Sequence, residues 1–152
     1  MDSATSKTFT RRRLLQAGGA ALVLLQVKPA AATPEHMAAA ITRAYGDRRI
    51  MPGRVKIDIP QIAENGNVVP IAITVDSPMR ADDYVKQIRL FSEHNPLPDI
   101  VEFELGPHNG KAHVSTRIRL AKSQIVLAVA TLNDDTLWSA QAIIEVTVSG
   151  CG

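Results

Sequence analysis

The chain has 152 residues, of which 45% are apolar and only 4% aromatic, so we expect one domain with an aliphatic core. Its formal net charge is +2 and its pI is about 8.9. The first 32 residues carry +4 of this charge, which leaves the rest of the chain at −2. No concentrated basic patch is expected in that remainder, which argues against a nucleic-acid-binding protein.

Residues 1–32 have the three parts of an export signal. A basic start contains Arg11 and Arg12, an apolar stretch occupies 17–27, and small residues for cleavage occupy 30–32. The arginine pair, with two leucines shortly after it, is typical of a twin-arginine signal. A membrane anchor is the alternative, but the apolar stretch is about half the roughly 20 residues that a spanning helix needs. We therefore expect cleavage, export to the periplasm and no membrane span after processing.

A short helix is predicted to open the mature domain. Thr33 can cap it, Pro34 suits its first position, and Gly46 lies where a helix would stop. Apolar side chains fall on one face at spacings of three and four residues, and we interpret them as core packing. These side chains are Met37, Ile41, Ala44 and Tyr45.

From residue 54 onward the apolar period changes to two, which is typical of strands. The run at 125–132 is apolar on both faces, which predicts a central strand buried on both sides. About seven short strands without intervening helices predict an all-β, immunoglobulin-like antiparallel β-sandwich, with an open barrel as the alternative. The seven runs are 55–59, 69–75, 85–91, 101–105, 114–120, 125–132 and 138–148.

No internal repeat or low-complexity linker divides the chain, so the expected organisation is a leader at 1–32, one sandwich domain at 33–148 and a C-terminal arm at 149–152. The arm contains Cys151, which is the only cysteine of the sequence and cannot form an internal disulfide. Ser149, Gly150 and Gly152 are small and give the arm conformational freedom. About four residues beyond the last strand reach roughly 13 Å, enough to carry a thiol into the active site of another protein.

The position of this thiol favours a carrier over an enzyme. A single cysteine does not make a zinc site, and burial is unexpected between two glycines. An ordinary thiol is mostly protonated near neutral pH, and the arm has no Lys, Arg or His to activate it. Activation must come from the site that the arm enters. The alternative is a non-catalytic envelope module that holds a partner through an intermolecular disulfide at Cys151.

Other candidate ligands have weaker patterns. His108 and His113 flank a turn and could approach each other across a hairpin, but His36 and His94 offer no third ligand at a suitable spacing. We interpret all four as surface histidines. Arg117 and Arg119 share one strand face with Ser115 and could bind an anion, although a solvated or partner-facing strand is the simpler interpretation. No cofactor and no metal are expected, beyond sulfur adducts on Cys151.

Several stretches together resemble the Y-subunit family of the bacterial sulfur-oxidising (Sox) system. The similarity spans nearly the whole mature chain. Its most specific parts are Ala63-Glu64-Asn65-Gly66-Asn67-Val68-Val69-Pro70, Val114-Ser115-Thr116-Arg117-Ile118-Arg119-Leu120-Ala121 with Ser123-Gln124, and Gly150-Cys151-Gly152; Asp76-Ser77-Pro78-Met79 and Asn95-Pro96 also fit.

The resemblance implies an immunoglobulin-like sandwich that forms a heterodimer with a second sandwich protein, the Z subunit, before export. It also implies that Cys151 is the covalent attachment point for sulfur intermediates. A c-type cytochrome enzyme would conjugate thiosulfate to the thiol, a hydrolase would release sulfate, and a sulfane dehydrogenase would oxidise the remaining persulfide sulfur. The carrier itself would catalyse none of these steps.

One part of the chain departs from the family pattern. The family tail is typically Gly-Gly-Cys-Gly-Gly, whereas here Ser149 replaces the first glycine and the last glycine is absent. The shorter end brings a terminal carboxylate closer to the thiol, which puts the fit of the arm into partner enzymes in question. A divergent carrier for another sulfur pathway is consistent with this tail.

Overall fold

A computed structural model of the protein describes residues 33–148. One α-helix, nine strands and a short 3-10 turn at Pro107–Asn109 are present in this range. The helix α1 spans Pro34–Tyr45, and the strands are β1 (Ile50–Pro52), β2 (Val55–Asp58), β3 (Ile62–Ala63), β4 (Val69–Val75), β5 (Val85–Ser92), β6 (Asp99–Glu104), β7 (His113–Ile118), β8 (Gln124–Leu132) and β9 (Leu137–Val146).

The strands form two sheets. The larger sheet has the order β1-β9-β8-β5-β6, with β3 also paired to β9, and the smaller sheet has the order β2-β4-β7. All pairs between the longer strands are antiparallel. The two short strands β1 and β3 pair in parallel with β9, near its beginning and its end respectively.

The predicted β-sandwich is confirmed, and each of the seven predicted runs overlaps one strand. The structure adds β1 and β3, which are too short to show a period of two in the sequence. Both pair with β9 at the edge of the larger sheet, β1 with residues 137–139 and β3 with residues 145–146. The two ends of this edge strand are therefore covered by short strands of the same chain.

The main core lies between the two sheets. Alternate residues of β4 face inward, so that Val69, Ile71 and Ile73 are at most 2% exposed. They meet residues of β5 and β8 from the other sheet, including Ile88 and Ala128, which have no exposed surface. Aliphatic side chains supply most of this core, as the composition predicted.

The chain passes from the larger sheet to the smaller one at Gly53 and Arg54. Their φ angles are 111° and 55°, a region that glycine adopts freely and that other residues rarely adopt. Arg54 is held there because its Nε donates to the carbonyl of Asp76 at 2.8 Å and its guanidinium pairs with Asp83 at 3.1 Å. This tight crossover places β1 and β2 in different sheets although only two residues separate them.

Helix α1 covers the outer face of the larger sheet. Ala40 and Tyr45 pack with Phe91 of β5, Val129 of β8 and Leu137 of β9 in a second core, and the Tyr45 and Phe91 rings meet edge to face at 6.1 Å. This second core explains why β8 is apolar on both faces, and it confirms the packing role predicted for the helical stripe.

The helix has the predicted bounds, but its N-terminus is capped differently from the prediction. Thr33 occupies the cap position, yet its side chain makes no capping hydrogen bond. The carbonyl of Thr33 accepts from the amides of His36 and Met37, while its side chain interacts with Glu35 and lowers the pKa of that carboxyl. The Thr33 hydroxyl is therefore drawn to a carboxylate in the first turn instead of a free backbone amide.

Candidate functional site

The sequence-predicted site lies outside the described residues. This applies to Cys151, to Ser149, Gly150 and Gly152 of the arm, and to Arg11 and Arg12 of the export signal. The structure does describe the point from which the arm leaves the domain. We call this point the arm root and define it as residues 146–148 together with the backbone that holds them.

Backbone hydrogen bonds fix the arm root to the segment 61–66. The amide of Glu145 donates to the carbonyl of Gln61 at 2.8 Å, and the amide of Thr147 donates to that of Ala63 at 3.0 Å. The amide of Gly66 then donates to the carbonyl of Val148 at 2.8 Å. Pairing between β3 and β9 therefore continues past the end of β9 as far as Val148.

Two hydroxyl groups add to this attachment. The amide of Val146 donates to Ser123 Oγ at 2.9 Å, and Thr147 Oγ1 donates to the carbonyl of Glu64 at 3.1 Å. Ser123 belongs to the loop between β7 and β8, so the root is held from two sides. The last backbone groups described before Cys151 are thus anchored rather than free.

Two of the sequence stretches that carry the family resemblance, 63–70 and 114–121, meet at this root. The carbonyl of Gly66 accepts from the amide of Leu120 at 2.8 Å, while its amide donates to Val148. Gly66 therefore joins the stretch 114–121 to the end of β9. In the sequence the stretch 63–70 carries only the family resemblance, because the sequence does not reveal which distant backbone groups it contacts.

A buried polar network supports the same end of the sandwich. Asn95 and Gln124 are 7% and 4% exposed, and their side chains bond each other at 3.1 Å. Asn95 also accepts from the amide of Ala121 at 2.9 Å and donates to the carbonyl of Arg119 at 2.7 Å, while Gln124 accepts from the amide of His94 at 2.8 Å. This network fixes the loop that carries Ser123.

Apolar side chains surround the root at the surface. Ile62, Val68 and Val148 are each more than half exposed, at 58%, 56% and 60%. Ile62 lies on β3 next to Glu145, and Val68 follows the turn that holds Val148. Exposed apolar groups concentrated at one place on a small domain are typical of a contact surface.

The histidines do not form a metal site within residues 33–148, where no cluster of three or more His, Cys, Asp or Glu is placed to hold a metal ion. His113 Nδ1 lies 2.9 Å from the Thr74 hydroxyl, and His94 lies beside Glu93. His108 packs over Gly106 in the 3-10 turn. His36 is exposed on α1.

Within residues 33–148, no helix combines the length and apolar character required to cross a bilayer.

A groove of about 580 Å³ lies on the outer face of the larger sheet, beside the end of α1. Tyr45, Arg89 and Thr131 each contribute a buried polar atom without a hydrogen-bond partner among the described residues. Burial raises the pKa of Tyr45 to about 12. Thr131 lies seven residues along β8 from Gln124, or roughly 23 Å away. The groove is therefore distant from the arm root.

Charges in this groove are paired. Lys86 Nζ lies 2.6 Å from Asp135, and this hydrogen bond lowers the pKa of that carboxyl. Arg89 pairs with Glu102 of the neighbouring strand β6 and lies 3.4 Å from Asp99. The positive and negative groups of these pairs balance each other.

The fold and the arm root define a class of protein: a rigid β-sandwich that holds the base of a cysteine-bearing C-terminal segment. The family model of the sulfur oxidation protein SoxY matches residues 41–151, a range that includes Cys151. The chain belongs to the SoxY family, the sulfur carriers of sulfur oxidation.

Solved structures agree with this assignment. The sulfur carrier protein SoxY from Chlorobium limicola f. thiosulfatophilum has a TM-score of 0.63 and 28% identity, and the match covers 75% of this chain and 98% of that one. A superoxide reductase (neelaredoxin) from Ignicoccus hospitalis has a TM-score of 0.55 at 22% identity, covering 62% and 80% of the two chains. A similarity at that level of identity shows a shared sandwich fold only. No curated protein sequence matches the chain.

Proposed function

We propose that this protein is a periplasmic carrier that holds thiosulfate-derived intermediates on Cys151 and presents them to partner enzymes. The observation that carries the proposal is the anchoring of Val148 immediately before the arm. Cys151 is the third residue after Val148, so its Cα lies within about 11 Å of the anchored Cα even when the arm is extended. A short arm on a fixed root confines the thiol to one end of the sandwich.

Confinement is useful to a carrier because each intermediate must reach several enzymes without being released. An attached group has a high effective concentration at any active site that docks near the root. The exposed apolar side chains of Ile62, Val68 and Val148 lie where such docking would take place. Family membership supports the carrier role, and the match that extends through Cys151 supports this residue as the attachment point.

The proposed chemistry begins with oxidative conjugation. The Cys151 thiol and thiosulfate form a sulfur–sulfur bond, which gives a cysteine S-thiosulfonate, one proton and two electrons. The electrons pass to the c-type cytochrome enzyme that performs this step. Activation of the thiol also falls to that enzyme, since the arm contains no basic side chain.

Two further steps complete the proposed cycle. Water attacks the terminal sulfonate sulfur in the hydrolase, which releases sulfate and leaves a persulfide on Cys151. A sulfane dehydrogenase then oxidises the outer sulfur to a sulfonate, with six electrons removed and three waters consumed, and the hydrolase releases it as a second sulfate. The carrier supplies the attachment and the position, and the partners supply the catalysis.

The proposal extends to assembly and export. A heterodimer with a Z-type sandwich subunit forms in the cytoplasm and is exported folded by the twin-arginine route, which uses the Arg11 and Arg12 pair. Such a route suits a carrier that depends on a partner subunit, because the leader needs to be present on only one of the two chains.

The test is the intact mass of the purified heterodimer after incubation with thiosulfate and the conjugating enzyme. A gain of about 112 Da on this chain, the mass of an added S₂O₃ group, is expected for the wild type and not for Cys151→Ser. Ser149→Ala is the control, because it keeps the thiol and the short arm. A gain in the Cys151→Ser variant would contradict the proposal, and products linked only by protein–protein disulfides would favour the envelope interaction module.

A further inference from the structure

Exposed basic side chains follow one another along β7 and the loop after it. His113, Ser115 and Arg117 share one face because alternate residues of a strand point to the same side, and all three are exposed. Arg119 and Lys122 follow the strand and are also exposed. Residues 105–133 include Lys111, Arg117, Arg119 and Lys122 and no Asp or Glu. The net charge of −2 after residue 32 led us to expect no basic patch, but net charge does not show how the charged residues are distributed.

The charged groups of this patch form no ion pairs within the described part of the molecule. Arg117, Arg119 and Lys122 make no ion pair or side-chain hydrogen bond with another residue of 33–148. Arg89 on β5, in contrast, lies between two carboxylates, those of Glu102 and Asp99. A cation that is not neutralised within its own domain exerts its field on an approaching partner.

The patch leads to the arm root. Arg119 precedes Leu120, whose amide bonds Gly66, and Gly66 in turn bonds Val148. Lys122 precedes Ser123, whose hydroxyl holds the amide of Val146. Both basic residues are thus neighbours in sequence of groups that are hydrogen-bonded into the root. Any protein that receives the arm must come close to them.

We infer that Arg117, Arg119 and Lys122 form a docking surface for an acidic face of the enzyme that loads the arm. This inference rests on the proposed carrier function and adds to it the chemistry of the partner surface. Among residues 33–148, β7 pairs only with β4 and presents its other edge beside these basic residues. Complementary charge orients the two proteins before contact and raises the association rate.

The arrangement fits a protein surface better than a small anion. Arg117 and Arg119 are two residues apart on an extended chain, so their backbones are separated by roughly 6.6 Å. Exposed cations spaced from the end of β7 into the following loop do not surround one point, as the groups around a bound sulfate would. They match a row of carboxylates on another protein.

The test measures initial rates of thiosulfate conjugation, by intact mass, as a function of carrier concentration. The double variant Arg117→Glu/Arg119→Glu is compared with the wild type between about 0.01 M and 1 M salt, where the Debye length falls from about 30 Å to about 3 Å. At low salt kcat/KM is expected to fall by at least about 10-fold through a higher KM, with kcat unchanged. At high salt the two proteins are expected to agree within about two-fold.

Two control variants separate position from total charge. Lys56→Glu/Arg80→Glu makes the same change in net charge on exposed residues, at the end of the smaller sheet away from the root, and should retain wild-type kinetics. Arg117→Lys/Arg119→Lys keeps the charge and should restore the rate. Equal kcat/KM for the reversed variant and the wild type at low salt overturns the inference, provided that the wild type loads. If the Arg117→Glu/Arg119→Glu variant changes only the oligomeric state of this chain, these residues contact a second copy of the chain. That result would also overturn the inference.

Discussion

The amide of Gly66 donates a hydrogen bond to the carbonyl of Val148 across 2.8 Å. The same residue accepts a hydrogen bond from Leu120 through its carbonyl, so it joins the ends of β7 and β9 in the two opposed sheets. The point at which the arm leaves the domain is therefore defined by both sheets. Under the proposed function, a partner that recognises this end of the sandwich also recognises the position from which Cys151 is presented.

Replacing Ser123 by Ala should loosen the arm root. The variant loses the hydroxyl that accepts from the amide of Val146 at 2.9 Å. One hydrogen bond of this kind contributes about 0.5–1.5 kcal/mol, so the free energy of unfolding should fall by about that amount. Urea denaturation measures the change, and the amide of Val146 should exchange with solvent faster than in the wild type. Ser115→Ala, on the exposed face of β7, is the matched control and should alter stability by less than about 0.5 kcal/mol.

Replacing Asn95 by Ala should destabilise the domain more strongly. The buried amide of Asn95 serves Ala121, Gln124 and the carbonyl of Arg119 at once, and its loss leaves these groups without a partner. Unsatisfied buried polar groups cost about 1–3 kcal/mol each, although water entering the space offsets part of this. We expect a loss of about 2–4 kcal/mol in the free energy of unfolding. Asn67→Ala, at an exposed position, should have almost no effect; equal losses in the two variants would contradict the structural role of the network.

Tyr45 should make the protein less stable at alkaline pH. Burial raises the pKa of Tyr45 in the folded state to about 12, above its usual value near 10. Between these values the unfolded chain loses the phenolic proton and the folded protein keeps it, so stability falls as pH rises through this window. The decrease should be on the order of 1–2 kcal/mol, since the neighbouring groove admits solvent. Thermal unfolding measured from about pH 9 to about pH 12 follows this decrease.

The control for this pH effect is Tyr45→Phe. The hydroxyl of Tyr45 has no hydrogen-bond partner among the described residues, so its removal should leave stability near neutral pH unchanged or slightly higher. Tyr45→Phe should lack the loss of stability at alkaline pH that ionisation of Tyr45 causes. Tyr84→Phe should still show this loss. The same alkaline decrease in wild type and Tyr45→Phe would show that other groups cause it.

Replacing Phe91 by Ala should separate α1 from the larger sheet. Phe91 has no exposed surface and its ring contacts that of Tyr45. Such a truncation costs about 3–5 kcal/mol in a packed core. If the Phe91→Ala variant fails to fold, Phe91→Leu should fold with a smaller loss in the free energy of unfolding. Limited proteolysis of Phe91→Leu should then cut within 34–45 sooner than in the wild type. Unchanged protection of the helix in a folded Phe91→Leu variant would argue against this docking.

The sequence predicted the longer strands but not the two shortest ones. The alternation at 69–75 predicted β4 with its observed bounds, because a half-buried strand must place apolar side chains on one face only. The continuous apolar run at 125–132 predicted a doubly covered strand, and α1 supplies the second cover. The strands β1 and β3 were not predicted. Two or three residues carry no period, and only pairing with β9 makes them strands.

Some features of the candidate site could also be predicted from the sequence, and others required the structure. Cys151 and its small neighbours are local features that can be identified by inspection of the chain, and the role of this thiol remains a prediction. The basic residues Arg117 and Arg119 could be seen in the sequence, but their alignment toward the root could not. The groups that hold the root lie more than twenty residues apart in the chain, as the bond between Val146 and Ser123 illustrates.

The sequence by itself determined the β-sandwich class and the presence of one cysteine three residues after Val148, because the first follows from periodicity and the second from a single residue. The tertiary structure decided how the chain is held just before this cysteine and which side chains are exposed around that point. The reason is physical: hydrogen bonds between distant segments, such as those of Gly66, form only after both sheets have been brought together by burial of their apolar faces.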